Sequence, residues 1–159
     1  MPREAVSNTS PLLNLALIDH LELLEDQFET VKMPRQVWEE LEEGEKGLEK
    51  LEELSSTDLI ETVEVEEDEL FREIVEDIDK GEAAALRYTL EADTDLVLLD
   101  EKEGREVARR HNLNTTGVIG ILLKASKTGE IELETEIRNL RKEGFYISDG
   151  LVEEILEEK

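Results

Sequence analysis

Four apolar residues without a break, Leu96-Val97-Leu98-Leu99, close on two acids, Asp100-Glu101. A run this short and this apolar suits a strand covered on both faces, and such strands belong inside a parallel sheet. Lys102 to His111 then reads as a helix. The strand therefore delivers Asp100 to its own C-terminal edge, where open α/β sheets place their ligands. Upstream, Gly81-Glu82-Ala83-Ala84-Ala85-Leu86 opens a small-residue helix with an acid in its first turn. Taken singly, Asp100 reads as the cap of the helix that follows it, and Glu82 as an acid complementing a helix dipole. Taken together, they read as carboxylates gathered at one sheet edge around a metal ion.

The rest of the chain supplies the elements such an edge needs. Ala5-Val6-Ser7 reads as a first strand. Ser10 is placed to cap a helix with Pro11 at its first position, and Leu12, Leu15, Ala16, Leu23 and Leu24 give that helix one apolar face as far as Glu25. Thr30 to Met33 suits a second strand. Pro34 opens a long helix with Val37, Trp38, Leu41, Leu48, Leu51 and Leu54 inward, weakened in its middle by Gly44 and Gly47. Leu59 to Val65 reads as a strand. Glu66 to Ile78 reads as an amphipathic helix, with Phe71, Ile74, Val75 and Ile78 at i, i+3, i+4, i+7 spacing. A strand at 112–116 follows, then helices over Val118–Lys127 and Ile131–Lys142, ended by Gly129 and Gly144. Ser148 or Asp149 caps a terminal helix carrying Leu151, Val152, Ile155 and Leu156. Strands alternating with helices predict an α/β fold with a central, mainly parallel sheet, as a single domain over residues 1–159.

Charge sets the surroundings. The chain carries 43 acids against 18 lysines and arginines, a formal net charge of −25. The regular apolar periodicity argues for an acidic shell around an ordinary core rather than for disorder. Such a shell suits a salt-rich, halophilic-type cytoplasm, where the Debye length shrinks to ~3 Å and self-repulsion is screened. With no cysteine there is no disulfide, thiolate metal site or cysteine nucleophile. No apolar run approaches the roughly 20 residues of a membrane span, and no apolar leader opens the chain, so a cytoplasmic protein is expected. Basic residues gather late, and Arg105, Arg109, Arg110, Arg138 and Arg141 are the candidates for receiving an anionic backbone.

No glycine-rich nucleotide loop is present. His20 and His111 lack zinc-ligand spacing, and Ser7 and Ser10 lack a nucleophile motif. What remains is carboxylates at strand and helix ends. Here Val6-Ser7-Asn8-Thr9-Ser10-Pro11-Leu12-Leu13 resembles the opening strand and turn of PIN-domain ribonucleases of the VapC-like type. Met33-Pro34-Arg35-Gln36-Val37-Trp38-Glu39-Glu40-Leu41 is similar to that family's second motif, with Glu40 as the acid. Gly81-Glu82-Ala83-Ala84-Ala85 resembles the third, and Leu98-Leu99-Asp100-Glu101 through Gly104-Arg105 the fourth, with Asp100 as the acid. Thr116 to Leu122 and Gly144 to Ser148 resemble a less-studied PIN-like subgroup. The likeness spans almost the whole chain.

This resemblance implies a three-layer α/β/α domain and a metal-dependent endoribonuclease, often the toxin of a toxin–antitoxin pair. It implies Glu40, Glu82 and Asp100 as catalytic acids and Asn8, Glu40, Glu82 and Asp100 as ligands of Mg2+ or Mn2+, all four facing one cleft. The implied partners are RNA, a small antitoxin protein and a second copy of the chain in a homodimer. A hard cation wants such oxygen ligands. Two residues depart from the family's pattern. Asn8 stands where an acid is usual and removes one negative charge. Glu82 stands where aspartate is usual and is one methylene longer. Two other readings stay open: a non-catalytic PIN-like module that binds RNA or a protein, and a receiver-like domain. The receiver reading fits poorly, because the first strand ends Val6-Ser7-Asn8 rather than on adjacent acids.

Overall fold

Each strand leads into a helix, and the strands pair in parallel throughout. A computed structural model describes residues 3–44, 48–56, 58–92 and 94–158. Helices α1 (Thr9–Leu17) and α2 (Glu22–Gln27) join β1 (Glu4–Ser7) to β2 (Thr30–Pro34). Helices α3 (Arg35–Glu43) and α4 (Leu48–Ser55) lead to β3 (Ile60–Val63). Then α5 (Glu69–Ile74) and α6 (Lys80–Glu91) carry the chain back across the sheet to β4 (Leu96–Leu98). Helix α7 (Lys102–Arg110) leads to β5 (Asn114–Thr116), followed by α8 (Val118–Lys127), α9 (Leu133–Lys142) and α10 (Asp149–Glu158).

Strand order is β3-β2-β1-β4-β5, so the chain reverses direction across the sheet between β1 and β4. Their register sets Val6 beside Val97 and Ser7 beside Leu98. The pleat then sorts the side chains. Ala5, Val31, Leu96 and Leu98 join the core under α1–α4 and α8–α10, whereas Val6, Val97 and Leu99 join the core under α5–α7. This is a three-layer α/β/α sandwich, and it explains why Leu96 to Leu99 is apolar at every position: both faces of the strand are covered. No helix among the described residues is long and apolar enough to cross a membrane.

Several expected elements are cut differently. The helix read from Ser10 to Glu25 is two helices, α1 and α2. Asp19 sits at φ 62, and the His20 and Asp19 amides donate to Leu15 and Ala16 carbonyls at 2.9 and 3.1 Å. That is a Schellman ending in which an aspartate takes the left-handed position glycine usually fills. Asn112, at φ 61, ends α7 in the same way. Gly129 and Gly144, both at positive φ, end α8 and α9 as the sequence predicts. The cap position of α1 is Asn8, not Ser10, and Pro11 lies inside the first turn, where a missing N–H is no loss. The long helix after Pro34 breaks at Gly44; Gly47 and the side chain of Leu54 lie outside the described residues. The helix read over 66–78 shrinks to α5 because Asp68 caps it late, accepting from the Phe71 amide at 3.0 Å. Arg87 holds that aspartate at 2.7 Å and keeps its carboxyl low, at about 2. On α10, Ile155 is buried and Val152 and Leu156 pack against the core, while Leu151 stays exposed.

Candidate active site at the sheet edge

The reversal between β1 and β4 opens a crevice at the C-terminal ends of these two strands, the place where open α/β sheets take ligands. Asn8 follows β1, and its amide extends the ladder by donating to the Leu98 carbonyl at 3.0 Å. Its side chain is buried, 2% exposed, and the Oδ1 atom has no hydrogen-bond donor. Leaving a buried acceptor unmatched costs on the order of 1–3 kcal/mol, so this atom asks for a partner.

Asp100 stands across the crevice, two residues past β4. It does not cap α7, the helix that follows it; Glu101 holds that position without a side-chain capping bond. Instead Oδ1 accepts from the Val118 amide at 2.8 Å, the first residue of α8, and Oδ2 accepts from Asn14 Nδ2 at 3.1 Å. The carboxylate therefore caps a helix 18 residues away. Gly117 makes room for it: a Cβ there would collide with Asp100 Oδ1. Burial pushes the Asp100 carboxyl up, while the Val118 amide, Asn14 and the Arg105 charge pull it back down.

Glu40 and Glu82 meet around the start of α6. Glu40, on α3, accepts from Thr9 Oγ1 and from the Gly81 amide, each at 2.8 Å. Gly81 again leaves the space, since a Cβ would lie 2.6 Å from Glu40 Oε1. Burial, then the negative charge of Asp79, raise the Glu40 carboxyl. Glu82 is the third residue of α6, and its amide donates to the capping Asp79 at 2.8 Å. Its own side chain is buried against Gly104 of α7. Burial, with the like charges of Asp79, Glu101 and Glu103, pushes its carboxyl up to about 7.

The family model of the PIN domain matches residues 4–159. The chain belongs to the PIN-domain family. PIN domains are in general nucleases, and the fold here is of that nuclease type. No curated protein and no solved structure matches the chain.

Within this PIN domain, Asn8 and Asp100 flank one crevice, and Gly81 ties Glu40 to the helix that carries Glu82. Glu40 and Asp100 open on separate cavities. One, of about 200 Å³, is lined by Gln36, Glu39, Glu40, Glu43 and Lys80. The other, of about 410 Å³, runs from Asp100 past Arg105 to α10. Among the described residues, no three acidic or histidine side chains stand close enough together to hold an ion. Glu40 and Asp100 also each engage both carboxylate oxygens in hydrogen bonds within the protein.

The five arginines of the PIN domain do not form one patch. Arg105, Arg109 and Arg110 ride on α7 in one outer layer, and Arg138 and Arg141 on α9 in the other. Of the five, Arg105 lines the Asp100 cavity. Arg110 lies 3.8 Å from Asp77, and Arg138 lies 3.9 Å from Glu134. Arg141 braces the turn before α10, donating to the Ile147 carbonyl at 2.5 Å and to Asp149 at 3.1 Å. Three residues that orient the acids escape the sequence reading: Thr9, Asn14 and Asp79. Asn14 left a trace, as the one amide in the apolar run Leu12-Leu13-Asn14-Leu15-Ala16-Leu17. Asp79 left another, since Asp79 and Glu82 have the spacing of a capping box.

Proposed function

We propose that this chain is a divalent-metal-dependent endoribonuclease of the VapC-like type, cleaving RNA phosphodiester bonds at the crevice between β1 and β4. The observation that carries this reading is the buried, donorless Oδ1 of Asn8 at the end of β1, next to β4, the strand that leads into Asp100. The donor set suits a hard cation: oxygens only, one amide acceptor left unmatched, and carboxyls whose burial favours neutralisation. Asn8, Glu40, Glu82 and Asp100 would hold Mg2+ or Mn2+ after their side chains leave their present arrangement, in which no three acids among the described residues stand close enough together for an ion. When bound, the ion would acidify and orient a water and neutralise charge building on the phosphate.

The chain's own residues do the rest. Asp100 and Glu40 must exchange hydrogen bonds from Val118, Asn14, Thr9 and Gly81 for the ion, which weakens its binding. Burial and the neighbouring acids raise the Glu82 carboxyl to about 7, and a cation held beside it would favour its charged form again. Arg105 supplies positive charge beside Asp100. Asn8 lacks the charge of an aspartate, so affinity for the ion is further reduced. Mn2+, which ranks above Mg2+ for such sites, supports activity better. A small antitoxin and a second copy of the chain are the proposed protein partners.

The test is cleavage of a panel of structured RNAs with Mn2+ at molar KCl, comparing wild type, Asp100→Asn and Asn8→Asp. Wild type is expected to cleave, Asp100→Asn to be inert, and Asn8→Asp to cleave faster at limiting metal. Equal inertness of wild type and Asp100→Asn, with RNA or a partner protein still bound, would favour the second reading, a non-catalytic binding module. That reading has its own support in the fully hydrogen-bonded carboxylates of Glu40 and Asp100.

A further inference from the structure

The cavity that starts at Asp100 does not end there. It continues, over about 410 Å³, between α8, the turn at 145–147 and α10, and this size lies within the range of small-ligand pockets. Its mouth carries the two exposed large apolar side chains found among the described residues, Tyr146 at 85% and Leu151 at 46%. An exposed phenol is ordinary on a mobile segment, but this one is held in place. Gly144, at φ +97, turns the chain, and the Phe145 amide donates to the Leu140 carbonyl at 3.0 Å. Ile147 is buried, and Arg141 grips its carbonyl. Tyr146 is thus the outward residue between two anchored neighbours, a fixed aromatic face at the rim of a cavity.

The charges along the cavity differ from end to end. Arg105 lies beside Asp100, and among the described residues it makes no salt bridge, although acids outnumber bases more than twofold in the chain. A cation left unpaired in so acidic a protein is available for an anion from outside. On the α10 side, Glu154 and Glu158 line the wall. They repel phosphate and accept hydrogen bonds from amino groups. The base belongs beside Tyr146 and the phosphate beside Arg105. Two exposed apolar side chains make too little surface for a stable protein interface, which buries about 800 Å² per partner. They are enough for one flat ring.

We propose that this cavity seats one nucleotide of a single-stranded RNA, its base stacked on Tyr146 and its phosphate held by Arg105, next to the crevice at Asp100. The proposal rests on the ribonuclease reading for the identity of the polymer and for nothing else. Stacking of unpaired bases on aromatic rings is sequence-tolerant, so Tyr146 contributes affinity and position rather than base identity.

The experiment measures binding without metal, in EDTA and at fixed ionic strength, using a labelled ten-nucleotide single-stranded RNA and its fully abasic counterpart. Tyr146→Ala is expected to raise the Kd for RNA by about 5- to 150-fold, the range that loss of one stacked base implies. It should leave the Kd for the abasic strand unchanged, and Tyr146→Trp should restore RNA binding. Arg105→Gln should weaken both strands alike. In the Mn2+ assay, Tyr146→Ala should raise KM and spare kcat. Unchanged RNA affinity in Tyr146→Ala overturns the proposal; if Asp100→Asn still abolishes cleavage, the ribonuclease reading survives that failure. Conversely, base-dependent loss of affinity in Tyr146→Ala with no cleavage by wild type keeps the stacking site and discards the enzyme. Unchanged RNA affinity together with a fall in solution mass on Tyr146→Ala overturns the proposal in favour of an interface between copies of the chain.

Discussion

Glu82, buried, and Asp100, half-buried, are two acids of one sheet edge, and their surroundings treat them in opposite ways. Asp100 receives an amide from the start of α8, a side-chain amide from Asn14, and the field of Arg105. Glu82 faces three further acids, Asp79, Glu101 and Glu103, and burial drives its carboxyl to about 7. Burial raises both, but donors decide how far. N–H donors stabilise the charged form of an acid against burial, whereas neighbouring acids add to burial and push an acid toward its neutral form. The glycines differ in degree. Gly117 admits Asp100 to a helix start, where any Cβ would collide, whereas a Cβ at Gly104 would make a tight approach to Glu82, 3.3 Å from Oε2, that a small shift of the side chain relieves.

The comparison breaks most visibly if Asp100 is removed. Asp100→Ala strands the Val118 amide and Asn14 and is expected to destabilise the fold by about 3 to 4 kcal/mol, measured by urea unfolding in EDTA. A loss below ~1 kcal/mol would show that Asp100 is not the cap of α8.

Glu82→Gln should move stability the other way, and only at some pH values. The folded carboxyl titrates at about 7 against 4.5 for an unperturbed glutamate, so the folded state binds more protons between those values. Wild-type stability therefore falls as pH rises through this window, and the penalty is complete above it. Relative to wild type, Glu82→Gln should gain about 2 to 3 kcal/mol at pH 8 and nothing at pH 4.5. A gain that does not change with pH would contradict the assignment.

Smaller still is the contrast between the two glycines. Gly117→Ala pushes Asp100 off Val118 and should cost about 1 to 2 kcal/mol. Gly104→Ala gains helix propensity within α7 and should be neutral to within ~0.5 kcal/mol. Equal effects would mean the collision at Gly117 relaxes freely. The least effect expected is that of salt on the titration itself. Raising KCl from 0.1 to 1 M screens the like charges around Glu82 and should lower its pKa by about a few tenths of a unit. The hydrogen-bonded Asp100 should move less, as followed by carboxyl chemical shifts.

Much of this was legible before any fold was known. The strand at Leu96–Leu99 announced its two covered faces, and Gly129 and Gly144 marked helix ends where φ had to be positive. The break after Leu17 was not legible, because Asp19 takes the left-handed position without a glycine, held by bonds that only the closed turn provides. Nor was the shortening of the helix read over 66–78, where Asp68 is pinned by Arg87, 19 residues on. The five arginines read as one basic cluster along the sequence. In the fold they divide between two layers, because α7 and α9 pack on opposite faces of the sheet.

The resemblance to PIN-domain ribonucleases supplied the candidate ligands Asn8, Glu40, Glu82 and Asp100; the sequence by itself determined the alternation of strands and helices, the parallel sheet and the acidic shell. These follow from local pattern: periodicity, turn residues and charge, all readable within a few positions. Only the tertiary structure decided what each candidate touches. Asp100 meets Val118 and Asn14, Glu40 meets Thr9 and Gly81, and Asn8 Oδ1 meets no donor. Those partners lie 18 to 86 residues away along the chain. A carboxyl's charge state depends on the donors and charges within a few ångströms of it, and packing alone sets that neighbourhood.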